Sequence, residues 1–319
     1  MSAVGFDARL LARRLGRPNA RPLADDDARA LFTAMLGGDL DALQLGALWM
    51  GLRIKGETPA ELSAFLAVTE ASYAHWTAEP ANSLPIVIPS YNGARQLPNL
   101  TPLLASLLAR QGIAVIVHGV TGDPWRTTSR EIFDALGNPA CRDAADMIAR
   151  HRAGRPAFVA IETLAPQVSR LLDLRWRIGA RGSIHTVAKM LNPLAAPALR
   201  LVSVTHPDYL ERMRACFADD PVGALLLRGA EGEAVAHPRR ALRMEWIRRN
   251  SVVQAATDAI ESAADPACQD DCSAEATARW IEAALAGTVT IPPAILAQVD
   301  GCARAARLEI ATSTIVVAA

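Results

Sequence analysis

The sequence predicts an α/β protein with a small N-terminal helical domain and a larger α/β domain on a mostly parallel sheet. Three observations predict it. Apolar residues recur at helical spacing from Leu10 to about Trp76, short β-branched runs replace them from Leu84, and strand, loop, helix and strand then alternate within about thirty residues.

Leu10, Leu11 and Leu15 read as a first amphipathic helix rather than an Arg-rich transit peptide. Leu31, Phe32 and Met35 mark a second, starting at Asp25 and broken at Gly37-Gly38-Asp39, where Asp39 is placed to cap its successor. That successor carries Leu40, Leu43, Leu45, Leu48 and Met50, apolar on more than one face. Thr58-Pro59 opens another, with Glu61 three residues beyond Thr58 as in a capping box.

Residues 84–89 form a buried β-branched run, followed by the polar loop Ser90-Tyr91-Asn92-Gly93-Ala94-Arg95. A helix from Thr101-Pro102 ends at Gly112, and residues 113–117 make the next strand, which completes a βαβ unit with a right-handed crossover. Further strands are expected at 157–161, 199–204 and 224–227.

With 319 residues, 51% hydrophobic and 21% charged, the chain can bury a sizeable core and is not disordered. It has neither an apolar run near the roughly 18 residues of a membrane span nor a signal-peptide core, so a soluble cytoplasmic protein is expected. Five scattered cysteines fit a reducing compartment; Cys268 and Cys272 stand four apart beside Asp270 and Asp271 without a second ligand pair, so no metal or cofactor is expected. His151, His185, His206 and His237 form no i, i+4 pair, and the lack of a nucleophile elbow leaves a hydrolase without support.

The formal net charge of +0 hides an asymmetry. Acid gathers at Asp25 to Asp27, at Asp219 and Asp220, and from Asp265 to Asp271. Between Arg150 and Arg200, by contrast, lie Arg152, Arg155, Arg170, Arg175, Arg177, Arg181 and Lys189, opposed only by Glu162 and Asp173. On a helix after Pro166, Arg170 and Arg177 fall opposite Leu164, Val168, Leu171 and Leu172. Gly179 ends that helix, Arg181 follows, and Ser183 is placed to cap the next, 184–191, whose positive end adds N–H groups. Such a segment suits a phosphate backbone, with Trp176 or Tyr91 available to stack bases. The plainer reading is that arginine is this chain's habitual cation, since Lys55 and Lys189 are its only lysines. A second run, Arg239, Arg240, Arg243, Arg248 and Arg249 around Trp246, reads as a solvated helix face.

The order and loop lengths of residues 86–137 resemble the phosphoribosyl-diphosphate site of the anthranilate phosphoribosyltransferases, glycosyl transferase family 3. That resemblance implies a nucleoside phosphorylase or phosphoribosyltransferase-like fold, with a helical domain of 1–77 on which 164–192 packs and an α/β domain of 78–163 and 193–319. The family's G-T-G-G-D loop reads Pro89-Ser90-Tyr91-Asn92-Gly93 here, and its N-x-S-T reads Asn99-Leu100-Thr101-Pro102. Its K-H-G-N-R reads Val117-His118-Gly119-Val120-Thr121, without the two phosphate-neutralising charges, and later serines align with Pro124 and Trp125. Arg175, Arg177, Gly179, Arg181, Asn192 and Pro193 match the R-R-x-x-G-x-R-T to N-P stretch. The magnesium-binding D-E pair aligns with Ala234-Val235, beside Glu231 and Glu233 as candidate substitutes.

The Ser-Tyr-Asn-Gly-Ala-Arg loop resembles one branch of these relatives, the YbiB-type proteins, which implies a dimeric nucleic-acid-binding protein outside the tryptophan pathway. Two readings stand. The first is a sequence-tolerant DNA-binding protein (or one for single strands or RNA) without transferase activity, catalytic residues, metal or cofactor. It is a homodimer through the N-terminal helices, with Arg170, Arg175, Arg177, Arg181 and Lys189 as contacts. Ser90, Tyr91, Asn92, Gly93, Asn99, Thr101, His118, Gly119 and Asn192 are then remnants of a donor site. The second is a phosphoribosyl or glycosyl transferase, a pentosyltransferase with an altered donor site.

Overall fold

The computed structural model describes residues 6–79, 81–205, 207–249, 251–257 and 271–307. Four helices come first: α1 (Ala8–Leu15), α2 (Asp25–Gly37), α3 (Ala42–Lys55) and α4 (Pro59–Glu70). Strands and helices then alternate through β1 (Ile86–Ser90), α5 (Thr101–Arg110), β2 (Val115–Gly119), α6 (Ser129–Ala135), α7 (Ala144–Arg152), β3 (Ala157–Ala160) and the single turn α8 (Ile161–Leu164). Next come α9 (Pro166–Ile178) and α10 (Ile184–Val187), then β4 (Leu199–Ser203), α11 (Pro207–Phe217), β5 (Ala224–Leu227), β6 (Arg243–Arg248), β7 (Ser251–Thr257), α12 (Ala274–Leu285) and α13 (Pro293–Ala306). The chain divides into two compact units, residues 1–74 with 164–191 and residues 75–163 with 192–319.

In the larger unit the strands form one sheet in the order β3-β2-β1-β4-β5-β6-β7. The first five run parallel and β5-β6-β7 are antiparallel, so the sheet is mostly parallel as expected. Alternate residues of the strands, Ile86 and Ile88, Val115 and Val117, Leu199 and Leu201, Leu225 and Leu227, share one apolar core with α5, α6, α12 and α13. The other residues are buried as well, which is why these strands read as continuous apolar runs. β6 and β7 depart from expectation. Arg243-Met-Glu-Trp-Ile-Arg is a strand that buries its four middle residues between two arginines, so the run around Trp246 lies on a strand and its turns, not on a helix.

The smaller unit is held by caps and one buried ion pair. Gly38 ends α2 with φ +81°, and Asp41 rather than Asp39 caps α3, in a capping box with Gln44. Thr58 and Glu61 form the expected box on α4, and Phe32 stacks on Phe65 at 4.3 Å to join α2 to α4. Glu61 does more than cap. Its carboxylate accepts from Leu23 N–H at 2.8 Å and from Thr58 N–H at 2.8 Å, and it pairs with Lys55 Nζ at 2.7 Å, both side chains almost fully buried. Burial works against the charged form, but the Lys55 and backbone hydrogen bonds overcome it and hold the Glu61 carboxyl below its ordinary value.

Two expectations in the basic segment are corrected. Ser183 is no cap, because its backbone is already helical and its hydroxyl hydrogen-bonds Glu57 instead. The helix it precedes is a single α-turn continued by the 3-10 turn Ala188–Met190, too short for a useful end charge. Among the described residues no helix is long and apolar enough to cross a membrane, and Cys141 and Cys302 are buried free thiols. Cys268, Asp270, His206 and most of the acidic run from Asp265 lie outside the described residues. Glu61→Ala should remove about 3–5 kcal/mol of stability, because it strands a buried ammonium and the Leu23 N–H. Urea denaturation checks this, with Arg29→Ala, at an exposed ion pair, as the near-neutral comparison.

Candidate functional site

The loops leaving the carboxyl ends of β1, β2 and β5 form the place where an open parallel sheet usually binds ligands. Here two carboxylates of the chain fill it. Glu233, buried, accepts on one oxygen from the N–H groups of Asn92 and Gly93, both at 2.8 Å. Its other oxygen accepts from Ser90 Oγ at 2.6 Å and Thr101 Oγ1 at 3.3 Å, so four donors saturate it. Glu231 accepts from the N–H groups of Gln96 at 2.8 Å, Leu97 at 2.9 Å and Arg95 at 3.2 Å, and Arg126 Nη1 lies 3.4 Å from it.

Successive backbone N–H groups aimed at one point are an anion site, and the five contributed by residues 92–97 are all occupied by the chain's own carboxylates. The turn that carries them is tightly made. Glu231 has φ +49° and Gly232 φ +89°, and a Cβ on Gly232 would come 2.1 Å from Asn92 Nδ2, which donates to the Gly232 carbonyl at 2.7 Å. A magnesium ion does not fit these residues. Each candidate carboxylate is wrapped in N–H and O–H donors, which repel a cation, and Ala234 and Val235 offer no ligand.

The other positions that match the donor motifs serve packing. Tyr91 is buried rather than presented to a base, its hydroxyl 2.8 Å from His118 Nδ1 and its ring edge-on to the imidazole. His118 is fully buried with no hydrogen-bond partner on Nε2, and burial pushes its pKa down to about 3. Gly119 is fixed by the sheet, since a Cβ there would meet the Ser90 carbonyl at 1.8 Å. Asn99 accepts from Thr101 N–H at 3.2 Å to start α5, and it donates to Ser129 Oγ at 3.2 Å. Asn192 staples its own loop, donating to the Ala196 carbonyl at 3.0 Å and accepting from Leu194 N–H at 3.1 Å.

In the smaller unit the basic segment partly converges. Arg170 is exposed over much of its length, and its guanidinium donates to the Leu36 carbonyl and closes the end of α2. Arg177 is exposed near the end of α9. Arg175 lies over the Trp176 ring at 4.0 Å, and Arg53 donates to the Arg181 carbonyl at 2.7 Å. Arg175, Arg181 and Lys189 all act electrostatically on His185. Burial first, then the charges of Arg181 and Arg175 and that of Lys189, lower the His185 pKa to about 3.

The sequence did not disclose the part played by Glu231 and Glu233 in the larger unit. Their donors lie more than a hundred residues away, and Gly232 between them was the one local sign of a turn.

Both buried histidines make acid destabilising. The unfolded chain takes up these protons near pH 6.5 and the folded chain only near pH 3, so stability is full above 6.5 and falls as pH drops toward 3. Each ring should contribute about 1.4 kcal/mol per pH unit across that window. Denaturant midpoints measured against pH check it: His118→Asn or His185→Asn should each flatten the slope by one proton, and an unchanged slope would mean the ring already charges in the folded state.

The sequence and the fold both have counterparts. Residues 9–72 match the model of the glycosyl transferase family, helical bundle domain. The uncharacterized protein YbiB of Escherichia coli (strain K12) is 39% identical over 93% of each chain. An anthranilate phosphoribosyltransferase of Nitratidesulfovibrio vulgaris is 28% identical over 67% of this chain and 61% of its own length. In structure, the anthranilate phosphoribosyltransferase of Thermus thermophilus superposes with a TM-score of 0.73, covering 95% of this chain and 90% of that one at 18% identity. The Saccharomyces cerevisiae enzyme in complex with PRPP and Mg gives 0.67, covering 94% of this chain and 85% of that one at 12% identity. With a relative this similar along nearly its whole length, and with this bundle and this sheet, the chain belongs to the anthranilate phosphoribosyltransferase-like glycosyl transferase family 3, where it stands with the YbiB-type proteins.

Proposed function

We propose that this protein binds nucleic acid with little sequence preference, DNA or RNA and single strands included, on a scaffold that has given up transfer chemistry. The stacking of Arg175 on the half-exposed Trp176, beside exposed Arg177 and with the charges of Arg181 and Lys189 reaching the same His185 as that of Arg175, carries this reading. Guanidinium groups grip phosphate oxygens in pairs, and an indole offers a face to a base. The donor loop supports the other half: with its N–H groups held by Glu231 and Glu233, a diphosphate would have to displace two carboxylates to enter.

Calorimetry with phosphoribosyl diphosphate and magnesium should give no measurable heat, and a saturable magnesium-dependent isotherm would instead support the transferase reading. Binding titrations against salt test the nucleic-acid half. Arg175→Ala with Arg181→Ala should lower the log–log slope by roughly 1.4 on single strands and 1.8 on duplex, as two phosphate contacts are lost. An unchanged slope and affinity would remove this segment as the contact.

A homodimer through the N-terminal helices is part of the proposal. On α3, Leu43 is 86% exposed and Ile54 78%, with exposed Ala47 and half-buried Met50 between them at the i, i+4, i+7 and i+11 positions of one stripe. A second copy of the same stripe is the natural cover, and a twofold axis would then relate the two basic segments as one longer groove. Light scattering at micromolar concentration should report twice the 34.0 kDa chain mass, and Leu43→Arg with Ile54→Arg should return a 34.0 kDa species that is still folded.

A further inference from the structure

In the larger unit, the loop between β2 and α6 holds Trp125 out to solvent, 72% exposed. The loop is not slack. Asp123 accepts the Trp125 N–H at 2.9 Å, Thr127 and Ala94 exchange backbone hydrogen bonds at 2.8 and 3.0 Å, and Arg126 donates to the Gly93 carbonyl at 3.2 Å. An indole presented on a backbone fixed at both sides loses little freedom when a ligand lands on it, as a stacking platform requires.

Cations surround the same loop ends. Arg126 reaches Glu231, which also accepts the Arg95 N–H, and the Arg95 side chain is exposed. Arg228, Arg239 and Arg240, all exposed, lie close enough to His237 that their charges hold its pKa below the ordinary value, where burial is the first cause and Glu231 opposes them. The carboxylates facing this group are Glu231, which accepts backbone N–H groups and pairs with Arg126, Asp123, which accepts the Trp125 N–H, and Glu162, which accepts from the Thr121 hydroxyl at 3.0 Å. Arg95 and Arg126 thus stand at the ends of the loop that presents this exposed indole, and Arg228, Arg239 and Arg240 add exposed guanidinium groups whose charges reach His237.

We infer that this surface of the larger unit is a second nucleic-acid contact with a preference for single strands, at which an unpaired base stacks on Trp125 while Arg95 and Arg126, and beyond them Arg239 and Arg240, hold the flanking phosphates. It rests on the nucleic-acid reading above and adds a strand preference and a site distinct from Arg175, Arg181 and Lys189. A duplex keeps its base faces inside the stack and can offer this surface only phosphate, whereas a single strand offers both.

The experiment compares the full chain with Trp125→Ala and Trp125→Phe against oligothymidylate, an abasic strand of the same length, and a duplex. Trp125→Ala should weaken oligothymidylate binding roughly 5- to 150-fold, the range for loss of one stacked base, leave the abasic strand and the duplex near wild type, and keep the salt slope. Trp125→Phe should recover most of the loss, and Arg239→Ala with Arg240→Ala should lower the slope on all three ligands. Oligothymidylate bound by Trp125→Ala as tightly as by the wild type would overturn the inference, as would an equal loss on the abasic strand. If Arg175→Ala with Arg181→Ala still weakened binding in that case, the nucleic-acid reading would stand without this site. A chain that bound none of the three ligands would overturn both.

Discussion

The Glu233 carboxylate is the contact on which the larger unit's ligand face depends. One buried group gathers the end of β1, the loop after it, the start of α5 and the turn after β5. A buried carboxylate is tolerated only when its charge is spread over strong donors, and four donors do that here. The same arrangement decides what the site can accept. N–H groups that would otherwise converge on a ligand's phosphate oxygens converge on the protein's own, and Glu231 repeats the device further along the loop.

The scaffold is also held together by contacts that need no ligand. Several residues that match the family's donor motifs are held in place by packing needs that persist without a ligand. Gly119 leaves room for a neighbouring carbonyl, Asn99 starts a helix, and His118 fills the core beside Tyr91. A motif letter retained for such a reason says nothing about catalysis, which is why His118 and Gly119 can survive while the charges on either side of them have gone.

Arginine serves two purposes in this protein, and exposure alone does not separate them. Arg170 and Arg177 fall on the same side of α9, yet the first reaches the orphan carbonyls at the end of α2 and works as a cap. Arg175, half-buried and turned toward the Leu171 side by helical geometry, joins Arg181 and Lys189 in acting on His185. Spacing along α9 sets Arg175 apart, and what the end of α2 presents sets Arg170 apart from Arg177.

By itself the sequence determined the order of the elements through the five parallel strands, because the helical period up to α4 and the buried apolar runs of those strands are local signals that report burial directly. It also determined the Thr58–Glu61 box and the end of α9 at Gly179, where a residue and its near neighbours suffice. It left β6 and β7 unread, since an arginine-rich run such as 243–248 serves a strand or a solvated helix face equally until a partner strand is known. Only the tertiary structure decided the sites. Whether Glu231 and Glu233 bind a metal or fill an anion nest, whether Tyr91 meets a base or a histidine, and which arginines share one surface depend on groups brought together from distant parts of the chain. A hydrogen bond across that separation leaves no periodic trace along the sequence.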